Sequence, residues 1–182
     1  MEHGLYPVAR ACEIGVQPEI NDELRLDGHL DGTSVSIGFP NNQMFWKCRK
    51  DNEDVAWVVL GLDPSILWKK ECAFCRHNAA DNAISCIALD ELKTFEAFEG
   101  MYEEIDGLES RAEQKLKAYD PTDVQAEILV FDVIEPEYIL GGAFETVAVK
   151  NTYTPLLGNR KVIVKGPCKG YFASRSYVRK YR

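Results

Sequence analysis

A chain of 182 residues, 46% hydrophobic and 27% charged, is long enough to enclose one substantial core, and a single domain spanning 1–182 is expected. Its net charge of −8 argues against indiscriminate nucleic-acid binding, no apolar run approaches a membrane span, and the start Met1-Glu2-His3-Gly4 lacks a basic region followed by an apolar signal segment. A cytoplasmic location is therefore expected, and six irregularly spaced cysteines (12, 48, 72, 75, 86 and 168) fit reduced thiols better than a disulfide framework.

In chain order, the stretch through about Asp31 mixes turn residues with short apolar pieces and reads as irregular. Ser34–Phe39 alternates small polar and apolar residues and predicts a strand, ended by the turn residues Pro40-Asn41-Asn42; Met44-Phe45-Trp46 then returns to the core. Val55–Leu62 is a continuous β-branched and apolar run, the pattern of a central strand. Asp63 is an N-cap candidate and Pro64 suits the first position of a short helix through Trp68. A short strand ends at Cys75. From Leu89 to Lys117, Leu89, Leu92, Phe95 or Phe98, Met101, Ile105 and Leu108 recur at helical spacing among many acids, with Gly100 and Gly107 as points of division into two helices. After the strand beginning at Gln125, a turn or short helix is expected at 135–139, a glycine turn at Gly141-Gly142, and strands at Ala143–Val149 and Lys161–Lys165. Strands separated by irregular and helical insertions predict a compact α+β domain rather than regular βαβ winding.

Glu127 is the most informative single residue. In Gln125-Ala126-Glu127-Ile128-Leu129-Val130-Phe131, Ala126, Ile128 and Val130 line one face of an extended strand and Glu127, Leu129 and Phe131 the other. Both faces are apolar beyond the acid, so its carboxylate costs free energy unless it is paired, protonated or used, and an ordinary paired or solvent-facing acid at the strand end is the competing reading.

Other motifs carry less. Cys72-Ala73-Phe74-Cys75 has the spacing of a zinc or redox pair, but Cys86, Cys48 and His77 supply no second pair at ligand spacing, and no metal is expected. Glycine-rich phosphate loops and a GxSxG elbow are lacking. From Asn159 to Arg182 the sequence carries eight cations and no acid, interleaved with Tyr171, Phe172, Tyr177 and Tyr181, a mix suited to phosphates and bases and equally to a solvated terminal face.

Taken together and in order, Arg25-Leu26-Asp27-Gly28, Ser34–Pro40 with Met44-Phe45-Trp46, Val58–Trp68, Cys72–Ala80, Gln125–Val130 and Tyr171-Phe172 resemble the DarT family, bacterial toxins that transfer ADP-ribose from NAD to bases of single-stranded DNA. The resemblance implies an ADP-ribosyltransferase-like α+β fold, a split, bent mixed β-sheet with flanking helices whose cleft holds NAD. It makes Glu127 the catalytic glutamate and Arg25 the assisting arginine that contacts NAD or the reacting base. Asn78 becomes a further NAD-lining residue, and Tyr171, Phe172 and Arg175 become contacts to single-stranded DNA. It also implies a macrodomain antitoxin as partner, and guanine or thymine as the modified base. The sequence departs from the family at Asn41-Asn42-Gln43, where many members carry an arginine, and at its start, which falls near the family's His-Gly-Leu and after its first NAD-binding strand. A truncated start, a pocket completed by another segment, and a catalytically impaired nucleic-acid-binding module on the same scaffold are the readings that this second departure leaves open.

Overall fold

The computed structural model describes residues 2–17, 28–166 and 169–181. In chain order the described elements are β1 (Gly32–Val35), α1 (Asn42–Asp51), β2 (Val58–Leu62), α2 (Ile66–Lys69), β3 (Cys72–Cys75), α3 (Asn82–Ser85), α4 (Leu89–Leu92) and α5 (Phe95–Gly100), followed by β4 (Glu127–Phe131), β5 (Ile139–Phe144), α6 (Val147–Leu157), β6 (Lys161–Val164) and α7 (Arg175–Tyr181). A 3-10 helix occupies Val8–Ile14, and single 3-10 turns occupy Pro136–Tyr138 and Gly170–Phe172.

The strands form two three-stranded sheets with flanking helices, the split mixed architecture expected. One has the order β1-β4-β3 with both pairings antiparallel; the other has the order β2-β5-β6, with β2 antiparallel and β6 parallel to β5. β4 is central because every residue after Glu127 is apolar, and its alternation divides the interior in two. Ala126, Ile128 and Val130 join Ile66, Cys72, Phe74, Met101 and Ile134 on one face. Leu129 and Phe131 join Ala73, Cys75, Ala79, Ile84 and Leu92 on the other. No helix among the described residues is long and apolar enough to cross a membrane.

Several local expectations are corrected. The first strand ends at Val35, and Asn41 then caps α1 by accepting from the Met44 N–H at 3.2 Å. Of the three α1 residues Met44-Phe45-Trp46, Phe45 turns inward, against Trp57 and Phe172, while Met44 and Trp46 stay exposed. The Val55–Leu62 run supplies an edge strand rather than a central one, since among the described residues β2 pairs only with β5. Gly141-Gly142 is no turn but the middle of β5. A Cβ on Gly141 would sit 2.0 Å from the Lys161 carbonyl oxygen, and one on Gly142 would sit 2.8 Å from the Leu157 side chain, so only glycine lets β5 approach β6 and α6 this closely. The segment expected to be a strand through Val149 instead enters α6, because the Thr146 hydroxyl caps it by accepting from the Val149 N–H at 3.2 Å.

The helical period after Leu89 yields α4 and α5 and then stops. From Tyr102 to Lys117 side chains take over the backbone bonding that a helix would satisfy internally. The Glu104 carboxylate accepts from the Arg111 N–H, Glu113 from the Ser110 N–H, and the Gln114 amide donates to the Glu109 carbonyl. Leu108 remains 45% exposed, so the periodic face has nothing to bury against and a helix there lacks its main stabilisation.

Candidate active site

Glu127 is half-buried at the first position of β4, paired with Cys75 of β3. Ser34 lies opposite Leu129, two residues along, so it shares the Glu127 face of the sheet. The Ser34 hydroxyl donates to Glu127 Oε2, and the Ala79 N–H donates to Oε1 at 2.5 Å. Both oxygens of the acid are thus engaged, one by a neighbouring strand and one by the loop after β3.

That loop is itself braced. Asn78 Oδ1 accepts from the Ala80 N–H at 2.8 Å, and the Asn78 carbonyl accepts from the Asp81 N–H at 3.0 Å. His77 Nδ1 lies 2.5 Å from Asp123 Oδ2, and Asp123 Oδ1 accepts from the Gln125 N–H at 2.8 Å, two residues before Glu127. The loop that holds the carboxylate is therefore anchored to the segment leading into the same strand. Sequence reasoning missed Ser34 and Ala79. Ser34 carried a weak signal as a polar position in an alternating strand, whereas Ala79 acts through its backbone, which no side-chain pattern reports.

Beside the acid, the two sheets splay apart around a cavity of about 680 Å³. β1 and the following turn give it Thr33, Ser34 and Ser36; β2, β5 and β6 give it an apolar wall that includes Leu60, Ala143 and Ile163, with Lys161 at its side. Ile128 forms part of its floor, so strand alternation turns Glu127 itself to the opposite face of β4. Ser34 joins the two, lining the cavity while donating to the carboxylate. The Thr33 hydroxyl is buried without a partner among the described residues.

The remaining expected residues divide. Asn78 directly precedes Ala79, whose N–H donates to Glu127, and its amide oxygen is committed to the loop, where it accepts from the Ala80 N–H. Tyr171 is half-buried, its ring 5.9 Å from that of Phe39, and lines the cavity. Phe172 is buried against Phe45 and the Arg49 guanidinium. Arg175, expected on a phosphate, is instead turned inward: it is 4% exposed and donates to the carbonyls of Pro121 and Thr122 at 2.7 and 2.9 Å, because α7 packs on that segment. Arg25 lies outside the described residues. Cys72 and Cys75 leave β3 on opposite faces, into different cores, so this pair cannot share a metal ion.

Residues 38–169 match the family model described as "ssDNA thymidine ADP-ribosyltransferase, DarT". No curated protein sequence matches the chain. Among solved structures it is similar to Thermosipho africanus DarTG in complex with ADP-ribose, with a TM-score of 0.54 and 13% identity, a likeness of fold covering 92% of this chain and 46% of that one. The chain thus spans about half the length of that protein. With the family's own pattern running from the turn after β1 to the segment beyond β6, the chain belongs to the DarT family.

Proposed function

We propose that this single domain is an NAD-dependent ADP-ribosyltransferase that modifies a base of single-stranded DNA, with Glu127 as its catalytic carboxylate. The observation that carries the reading is the mooring of Glu127 by the Ala79 N–H and by the hydroxyl of Ser34, a residue that also lines the inter-sheet cavity. A charge held by a backbone donor and a neighbouring strand needs little reorganisation when positive charge develops nearby. The cavity supports NAD as co-substrate: its volume of about 680 Å³ falls within the ~300–1,000 Å³ typical of small-molecule sites.

In the proposed reaction the bond between the nicotinamide nitrogen and ribose C1′ breaks, and its electron pair leaves with neutral nicotinamide. Glu127 stabilises the positive charge spread over C1′ and the ring oxygen. A base nitrogen supplies the electron pair of the new bond to C1′ and gives up its proton to the same carboxylate. Arg25 holds NAD or the incoming base, and the Asn78 amide contacts the co-substrate. The base is thymine, as the family description names, or guanine. The cellular role is that of a cytoplasmic toxin countered by a macrodomain antitoxin that removes the modification.

Incubation of labelled NAD with single-stranded oligonucleotides containing either thymine or guanine as the only reactive base tests this. The expected result is label on one of them, lost at least about 100-fold in Glu127→Ala. No label with either protein overturns the reading.

A further inference from the structure

A second concavity, of about 750 Å³, lies between α1 and the C-terminal segment. Its walls are aromatic: Phe45 and Trp46 from α1 face Tyr171, Phe172 and Tyr177. Trp46 is 60% exposed and Tyr177 44% exposed, an unusual presentation of large flat rings on one surface. The walls are fixed to each other, since Asn42 accepts from the Arg175 N–H at 3.0 Å and Arg49 is bound by both Glu145 and the Phe172 carbonyl.

The charge around this groove is one-sided in a chain whose net charge is −8. Lys47 lines it, Lys50 places its ammonium 5.0 Å from the Trp46 ring centre, and no acid occurs in its lining. The two sequence stretches that build it, 32–50 and 146–182, contain no Asp or Glu at all. Exposed ring faces with cations beside them complement a single nucleic-acid strand, whose bases stack and whose phosphates need cations. Tyr171 lines both this groove and the inter-sheet cavity, so the two are neighbours.

We infer that this groove binds unpaired bases of single-stranded DNA flanking the modified one, with Trp46 and Tyr177 as the stacking surfaces and Lys47 and Lys50 on the phosphates. The inference rests on single-stranded DNA being the substrate, and it adds a binding subsite on α1 distinct from the residues around Glu127.

Titration with oligothymidylate, read both by anisotropy of a labelled strand and by tryptophan fluorescence, tests it. Trp46→Ala and Tyr177→Ala are each expected to weaken binding roughly 5- to 150-fold, the effect of one lost base stack. Trp46→Phe is expected to keep most of the affinity but lose the fluorescence quenching, whereas Trp68→Phe on α2 keeps both. In the transfer assay Trp46→Ala should raise KM for DNA and leave the rate at saturating DNA unchanged. Unaltered affinity in both alanine variants overturns the inference, even if the wild-type protein transfers ADP-ribose. Loss of a protein partner by Trp46→Ala with DNA affinity intact overturns it equally. Weakened binding together with no transfer by the wild type supports the groove and defeats the transferase reading instead.

Discussion

At the scale of single residues, the apolar strand around Glu127 sets up a demand that its neighbours meet: the acid needs partners, and Ser34 and Ala79 supply one for each oxygen. Ser34 is exposed, so its removal costs the fold little, but it deprives the carboxylate of a charge-assisted hydrogen bond worth about 1.5–3 kcal/mol. Ser34→Ala should therefore slow ADP-ribose transfer at least about tenfold, with a melting temperature close to that of the wild type. Single-turnover rates beside thermal melts check this; an unchanged rate removes Ser34 from the site. Cys72 illustrates the opposite case, a motif residue that the fold disarms. Burial pushes its thiol up to about 11, with a further contribution from the Glu71 charge, so it stays protonated and unreactive at neutral pH.

Between elements, β5 lies hard against β6 and α6 at its glycine pair. The glycine pair looked like a turn because glycine most often serves turns, and only the distances to Lys161 and Leu157 show that it serves close packing. Gly141→Ala forces its methyl against the Lys161 carbonyl, and a destabilisation of about 1–3 kcal/mol or more is expected. Urea unfolding measures it, and a wild-type midpoint contradicts the packing argument. The α6 cap follows the same logic: Val147-Ala148-Val149 has strand-like residues, yet one hydroxyl at Thr146 sets the helix start. By contrast, the burial of β4 was legible, because a strand with both faces apolar has few places to go other than the centre of a sheet, although the strand starts at Glu127 rather than Gln125.

For the molecule as a whole, the C-terminal helix is held by a buried charge cluster. Asp120 is fully buried and receives two hydrogen bonds from Arg179, at 2.6 and 2.7 Å, while the Arg175 guanidinium binds the neighbouring carbonyls. Burial works against ionised Asp120, but the hydrogen bonds from Arg179 and the Lys117 N–H outweigh it and hold its carboxyl below the ordinary 3.8. Since the folded value lies below the unfolded one, the stabilisation is complete above about pH 4 and is lost as pH falls through the depressed value. Arg179→Met leaves a buried carboxylate short of its main partner, and a loss of about 3–5 kcal/mol is expected at pH 7. The deficit should narrow toward pH 4, because protonation relieves the unpaired charge. Urea midpoints of both proteins between pH 4 and 7 test the sign, and a deficit that widens on acidification contradicts it.

The sequence by itself determined the buried strand, the acid at its head, the α+β character and the resemblance to the DarT family, since alternation, turn chemistry and ordered motifs are local properties of the chain. Only the tertiary structure decided which groups hold Glu127, that Arg175 braces the interior while Trp46 stands exposed, and that Gly141-Gly142 lies within a strand. Those outcomes depend on contacts between segments far apart in sequence: a backbone N–H at residue 79, a carbonyl at 161 and an arginine at 179 become partners of residues 127, 141 and 120 only once the two sheets and the last helix have packed.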